Sequence, residues 1–201
     1  MAVANRRVLD RLLAARNEHP EHLTDIDRQI WEAFGATRAV WVLDMCGFSR
    51  LTMRHGITHF LAMIHRLHGL VRPIVVGEKG KVVKTEADNV FATFADVGAA
   101  IAAARRVQEQ LTVANAFLPE DWDLHASIGI GYGDVLLIGA GDFYGNEINI
   151  ASKLGEDVAG PGETYLTEAA HTAAQAAGVA PTVEKRDIPI SAMTVTAYKI
   201  T

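Results

Sequence analysis

An alanine-rich stretch, VGAAIAAARRVQEQLTVANAFL over 97–118, limits the fold more than any other part of this 201-residue chain. Alanine has the highest helix propensity, and the polar residues gather toward the end of the run, so the spacing predicts a long helix. Segments of the opposite habit flank it. Before it, KGKVVKTEADNVFATFAD sets β-branched and aromatic runs around the polar cluster 86–89, which predicts a hairpin with acids at its tip. After it, DLHASIGIGYGDVLLIG predicts a strand, a glycine-containing bend and a second strand. A helix held between β pairs must lay its apolar side on a sheet, so the fold class is α+β with helices covering a mostly antiparallel sheet.

The rest of the chain extends that alternation. From Arg38, AVWVLDMCGFS is a short apolar run that stops at Asp44 and then Gly47, as a buried strand does. Phe60, Met63, Ile64, Leu67, Leu70 and Val71 then recur at helical period, and Gly56 near the start divides a short helix from a long one. Beyond DFYG, NEINIASKLGEDVAG reads as helix up to a Gly-Pro-Gly turn. ETYLT, EAAHTAAQAAG, PTVEKRDIPI and MTVTAYKI follow as strand, helix, strand, strand. At the opening, Val8, Leu9, Leu12 and Leu13 form an apolar helical stripe among Arg6, Arg7, Asp10 and Arg11. Residues 1–37 are therefore read as a helical extension and 38–201 as one domain.

Composition removes several partners. A formal charge of −5 argues against a binder of nucleic-acid backbones. The hydrophobic share of 49% is ample for a core. Cys46 stands alone, which rules out an internal disulfide and a four-cysteine zinc site and makes a reducing cytoplasm the expected setting. No run approaches the roughly 18 consecutive apolar residues of a membrane span, and the charged opening does not suit a secretory signal.

Chemistry centres on two acids. Asp44 ends an apolar strand, and Asp88 sits at the hairpin tip beside Glu86. Carboxylates on strand ends suit Mg²⁺, which takes oxygen ligands and shares them with phosphates. The alternative is that Asp44 caps its turn and Asp88 is a turn residue. The glycines of GIGYGDVLLIGAGDFYG permit close backbone approach to a phosphate but match neither G-x-G-x-x-G nor a P-loop, and equally serve bends and bulges. Asn149 and Lys153, four apart on the following helix, face one side, either toward a ligand or toward solvent. The pairs His55/His59 and His65/His68 do not form H-E-x-x-H, and Ser49 lacks a nucleophile elbow.

Three segments in order, VLDMCGFSRLTMRHG, KGKVVKTEADNVFATF and ASIGIGYGDVLLIGAGDFYGNEINIASKLGEDVAGPGETYLT, resemble the class III adenylyl and guanylyl cyclase catalytic domain. The resemblance runs from about Ala39 to the C-terminus and implies the cyclase homology domain, a ferredoxin-like βαββαβ sheet core. It implies Asp44 and Asp88 as metal-binding acids, with the Met45 carbonyl as a backbone ligand. The ions would be Mg²⁺ or Mn²⁺, or else Ca²⁺. Met45, Gly47 and Phe48 fall at substrate-binding positions of the same segment. Lys84 and Asp142 match the pair that selects adenine, which makes ATP the implied nucleotide. In the family one ion activates the ribose 3′-hydroxyl and the other bridges the triphosphate, so that the 3′-oxygen displaces pyrophosphate at the α-phosphorus. Asn149 matches the ribose-orienting residue, and the implied active form is a head-to-tail homodimer.

Departures from the family pattern fall on the phosphate contacts. Lys153 stands where the family has an arginine, Ser191 and Ala192 where it has Lys-Gly, and Ala87 where a glycine precedes the second metal acid. A lysine keeps the charge but loses the bidentate fork. The expectation is an ATP- and metal-binding cyclase-like protein with weak or absent activity. An active adenylyl cyclase and a non-catalytic interaction module are the alternatives.

Overall fold

A computed structural model describes residues 5–139, 141–190 and 193–201, with the side chains of 48–50, 120, 190 and 193 outside that description. Four strands build its centre: β1 (Gly35–Met45), β2 (Lys81–Glu86), β3 (Asn89–Phe94) and β4 (Ala126–Ile138). Their order is β2-β3-β1-β4, antiparallel at every step. Two helices, α3 (Phe48–His55) and α4 (Ile57–Gly77), connect β1 to β2, and α5 (Val97–Asn115) connects β3 to β4. That is the ferredoxin-like βαββαβ arrangement, in which each crossover helix covers the sheet.

The sheet continues past β4. The short β5 (Asp142–Tyr144) folds back on β4, α6 (Asn146–Lys153) follows, and β6 (Thr164–Thr167) pairs with β4 in parallel. After α7 (Glu168–Ala176), β7 (Val183–Ile190) and β8 (Met193–Ile200) form a hairpin whose β8 edge lies on β6. The alanine-rich segment is α5, capped by Asp96, whose carboxylate accepts from the Ala99 N–H at 2.9 Å. Its Ala100, Ala103 and Ala104 are buried against the sheet in one cluster with Trp41, Leu43, Phe60 and Ile128. Of the described helices, α4 is the one long and apolar enough to cross a membrane, yet its Phe60, Met63, Leu67, Val71 and Val75 belong to that core cluster.

Two local features differ from the sequence reading. The glycine-rich segment does not bend; β4 is one continuous strand of 13 residues. Its glycines recur at every second position, so they share the face on which α6 lies. A Cβ at Gly129 would stand 2.0 Å from the Ala151 carbonyl oxygen, and one at Gly131 2.8 Å from the Glu147 carbonyl oxygen. These glycines clear space for a helix rather than turn the chain. At the N-terminus a second helix, α2 (Leu23–Phe34), pairs with α1 (Arg6–Glu18). Leu9, Ile26, Ile30 and Phe34 bury themselves against Ile138 of β4.

Candidate functional site

The acidic end forms where β1 stops. Pairing of Leu43 with Val90 brings Asp44 level with Asn89, immediately behind the β2–β3 tip that carries Asp88. Ala87 holds that tip in the left-handed region at φ +50°, where a glycine would carry no Cβ penalty. Burial, and then the neighbouring Asp88, Glu156 and Asp157, push the Asp44 carboxyl up to about 7. Asp88 is also raised, by burial, and so is Glu156, by burial and then by Asp157.

Glu156 belongs to a π-turn, Leu154–Val158, that extends α6 and closes with the Ala159 N–H on the Leu154 carbonyl at 2.8 Å. Asn89 donates through Nδ2 to Glu156 Oε1 at 3.3 Å, and its Oδ1 is buried without a hydrogen-bond partner. Beyond burial, Asp88, Glu156 and Asp157 add to the rise at Asp44, and Asp157, Glu86 and Asp88 to that at Glu156. Among the described residues no three His, Cys, Asp or Glu side chains gather closely enough to hold a metal alone. The donor set fits a hard divalent cation held by Asp44, Asp88 and the Met45 carbonyl, with its remaining oxygens drawn from a ligand. Gly47 turns the chain from β1 into α3 at φ +98°, and Phe48 begins that helix with its side chain outside the description.

The second corner is already paired. Lys84 on β2 contacts Glu86 at 2.8 Å and Asp142 Oδ1 at 3.3 Å, and its Nζ lies 5.0 Å from the Phe91 ring centre. The Glu86 and Asp142 carboxylates hold Lys84 above its ordinary value. Asp142 Oδ1 also accepts from the Phe143 N–H at 3.0 Å, and Oδ2 from the Tyr144 hydroxyl at 2.6 Å. Burial alone would push Asp142 up, but the Tyr144, Phe143 and Lys84 contacts outweigh it and hold the carboxyl below the usual range.

Asn149 and Lys153 both lie exposed on α6, and Lys153 Nζ contacts Asp157 Oδ2 at 2.7 Å. The structure thus brings Lys84 to Asp142 and Asp44 to Asp88. Ser191 and Ala192 lie outside the described residues. Sequence reasoning missed Glu156, Asn89 and Tyr144. For Glu156 the available signal was its place three residues after Lys153 in a run of acids; Tyr144, two residues after Asp142 in a short strand, shares that residue's face.

No family model matches the chain. It is 28% identical over 133 residues, 66% of its length, to the "Putative adenylate cyclase 3" of Rhizobium meliloti (strain 1021), and spans 22% of that relative's length. Among solved structures, an adenylate/guanylate cyclase/hydrolase from Silicibacter pomeroyi superposes with a TM-score of 0.71 at 24% identity, covering 83% of this chain and 96% of that one. The guanylate cyclase domain from Catenaria anguillulae in complex with GTP gives 0.69 at 15% identity, covering 82% and 96%. In fold, the chain is similar to solved adenylate and guanylate cyclase catalytic domains.

Proposed function

We propose that the chain binds ATP with a divalent cation, Mg²⁺, Mn²⁺ or Ca²⁺, and turns it over weakly or not at all. One observation carries the reading: the acids at the β1 end are uncompensated, with Asp44 held near 7, while the corner that would meet the base is pre-organised. Two carboxylates that repel each other in a half-buried place gain most from a cation. A bound cation supplies charge neutralisation on the polyphosphate and activation of the ribose 3′-hydroxyl. Asp44 and Asp88 would hold it as carboxylates. Lys84 donates to a ring nitrogen of adenine, and Asp142, an acceptor, takes the exocyclic amine. Asn149 orients the ribose.

The weak step lies at Lys153. A lysine presents a point charge where an arginine fork would grip two oxygens, and one lost transition-state donor lowers rate by a factor of about 100 to 1,000. Binding energy from the cation and the base corner does not depend on that donor. The proposal includes a head-to-tail homodimer, in which one copy's acids and its partner's base corner meet the same nucleotide, and a reducing cytoplasm as the setting of the unpaired Cys46. It also treats residues 1–37 as an extension of the cyclase-like domain.

Calorimetric titration with ATP, with and without Mn²⁺, tests the proposal beside Asp44→Ala and a sizing measurement. Expected is cation-dependent binding that Asp44→Ala removes, with cyclic nucleotide near background from ATP, GTP, CTP and UTP. Absence of cation-linked binding ends the reading. The retained Asp44, Asp88, Lys84, Asp142 and Asn149 favour the second reading, an active adenylyl cyclase. Cyclic AMP formation abolished by Asp88→Ala would establish it in place of the first.

A further inference from the structure

The Asp142 carboxylate has two differently occupied oxygens. Oδ1 faces Lys84 at 3.3 Å and the Phe143 N–H at 3.0 Å. Oδ2 faces away, toward the N-terminal helices: it accepts the Tyr144 hydroxyl at 2.6 Å, and Arg6 Nη1 of α1 lies 3.6 Å from it. Arg6 Nη1 also donates to the Tyr144 oxygen at 2.8 Å, while its Nε donates to Asp10 at 3.0 Å. A phenol oxygen that accepts from a guanidinium directs its own hydrogen elsewhere, here onto Asp142. The relay Asp10, Arg6, Tyr144, Asp142, Lys84 therefore joins α1 to the corner assigned to the base.

The backbone supports the same link. β5 has three residues and pairs with β4 alone, Ile138 opposite Asp142 and Leu136 opposite Tyr144. Ile138 and Leu136 are the β4 residues that pack under the α1–α2 hairpin. The hairpin is not packed solid on this side: a cavity of about 410 Å³ lies between it and the sheet, lined by Arg6, Leu13, Trp31, Leu136 and Tyr144 among others. Side-chain pairing across that gap thus adds to what the apolar contacts fix.

We propose that Tyr144, oriented by Arg6, is the positioning residue for Asp142, and that the N-terminal helix thereby sets the preference for adenine over guanine. The inference rests on the reading of Lys84 and Asp142 as base contacts. Held by two oxygens, Asp142 keeps one acceptor edge beside the Lys84 donor. Adenine presents an amine donor next to a ring acceptor and matches that order, whereas guanine presents a carbonyl acceptor next to a ring N–H. Without the Tyr144 hydroxyl the carboxylate turns about its last torsion, and the acceptor–donor order loosens.

The test uses the full chain as wild type, Tyr144→Phe and Arg6→Ala, with Arg11→Ala as an exposed control on the same helix. Tyr144 and Arg6 are both exposed, so folding is retained and is checked by melting temperature. ATP and GTP affinities are measured with Mn²⁺, and the Asp142 carboxyl is titrated by NMR without nucleotide. Hydrogen bonds to charged groups support a fall in the ATP:GTP affinity ratio of about five- to tenfold for Tyr144→Phe, with a smaller fall for Arg6→Ala. The Asp142 titration moves upward in both variants and stays in place in Arg11→Ala.

A ratio unchanged in both variants, while wild type binds ATP, overturns the role in base preference. A titration that does not move overturns the positioning itself. If wild type binds neither nucleotide, the base assignment of Lys84 and Asp142 has failed, and the inference falls with it for a different and recognisable reason.

Discussion

The β1 end and the Lys84–Asp142 corner hold acids in opposite electrostatic states. At the first, Asp44, Asp88 and Glu156 are all raised, first by burial, and further carboxylates add to it at Asp44 and Glu156. At the second, Asp142 is lowered because a hydroxyl, an N–H and an ammonium converge on it. A site that stores repulsion is stabilised by what binds there, whereas a site that is already satisfied selects among ligands by which of its bonds they can replace. On the proposed reading, one place in this fold would supply cation affinity and the other would supply discrimination.

The largest test of that contrast is Asp44→Asn. Partners in the outer shell of metal sites cost roughly 10–100-fold in affinity when removed, so if Asp44 is the direct ligand proposed, its loss should lower Mn²⁺ affinity by at least about 100-fold. The same change stabilises the cation-free protein. Asp44 has a folded value of about 7 against 3.8 for an unperturbed carboxyl, so the native state holds its proton more tightly than the unfolded one does. Its contribution to stability is therefore full below pH 4 and is lost as pH rises through 7. The full shift corresponds to ~4 kcal/mol, and partial solvation of a half-buried group reduces it to ~1–2 kcal/mol. Melting curves in chelator at pH 5 and pH 8 should show wild type losing several degrees that Asp44→Asn keeps. Equal pH slopes would mean that burial and the neighbouring acids do not raise Asp44 as described.

Lys84→Met probes the other region and should leave cation linkage alone. Asp142 keeps its bonds from Tyr144 and Phe143, so the fold is little changed, while the donor proposed for the base is gone. ATP affinity should fall about tenfold at saturating Mn²⁺, with the dependence of that affinity on Mn²⁺ concentration unaltered. A variant that instead lost the Mn²⁺ dependence would show that the two regions act as one.

How much of this was legible in the sequence follows from where the signals lie. Strand ends and a hairpin tip are local features, so the convergence of Asp44 and Asp88 followed once the apolar run 39–43 and the β runs flanking 86–89 were placed. The glycines of β4 were read as a bend because a strand interior rarely tolerates them. Their alternate spacing at 129, 131 and 133 carried the other meaning, room for α6, which appears only with the helix in place. Within the helical extension, α2 does not stand out as a separate helix although Ile26 and Ile30 stand four apart, since half of its twelve residues are polar. Arg6 and Tyr144 are separated by 138 positions, and no periodicity links such a pair.

A smaller effect is expected at the tip itself. Ala87 occupies a left-handed conformation that costs an L-residue roughly 1–2 kcal/mol, part of which glycine forfeits through its greater freedom in the unfolded chain. Ala87→Gly should therefore raise the melting temperature by about 1–4 °C in a chain of this size. It relieves the hairpin without touching a carboxylate, so the pH slope of the cation-free protein should stay as in wild type. A flatter slope would place part of the Asp44 effect in backbone strain rather than in charge.

The smallest change tests a contact at the edge of the acidic region. Lys153 and Asp157 form an i,i+4 pair with side chains 49% and 57% exposed, and Asp157 also adds to the negative field on Asp44. Exposed pairs of this kind are weak, and a polyphosphate outcompetes one with ease. Asp157→Ala should then alter ATP affinity less than about twofold, and it should move the loss of cation-free stability to slightly lower pH, because one of the charges that raise Asp44 is gone. A gain well above twofold at saturating Mn²⁺ would show that Lys153 is withheld from the phosphates by its neighbour. The weakness of the phosphate contacts would then lie in the acids of the π-turn, more than in the exchange of an arginine for a lysine.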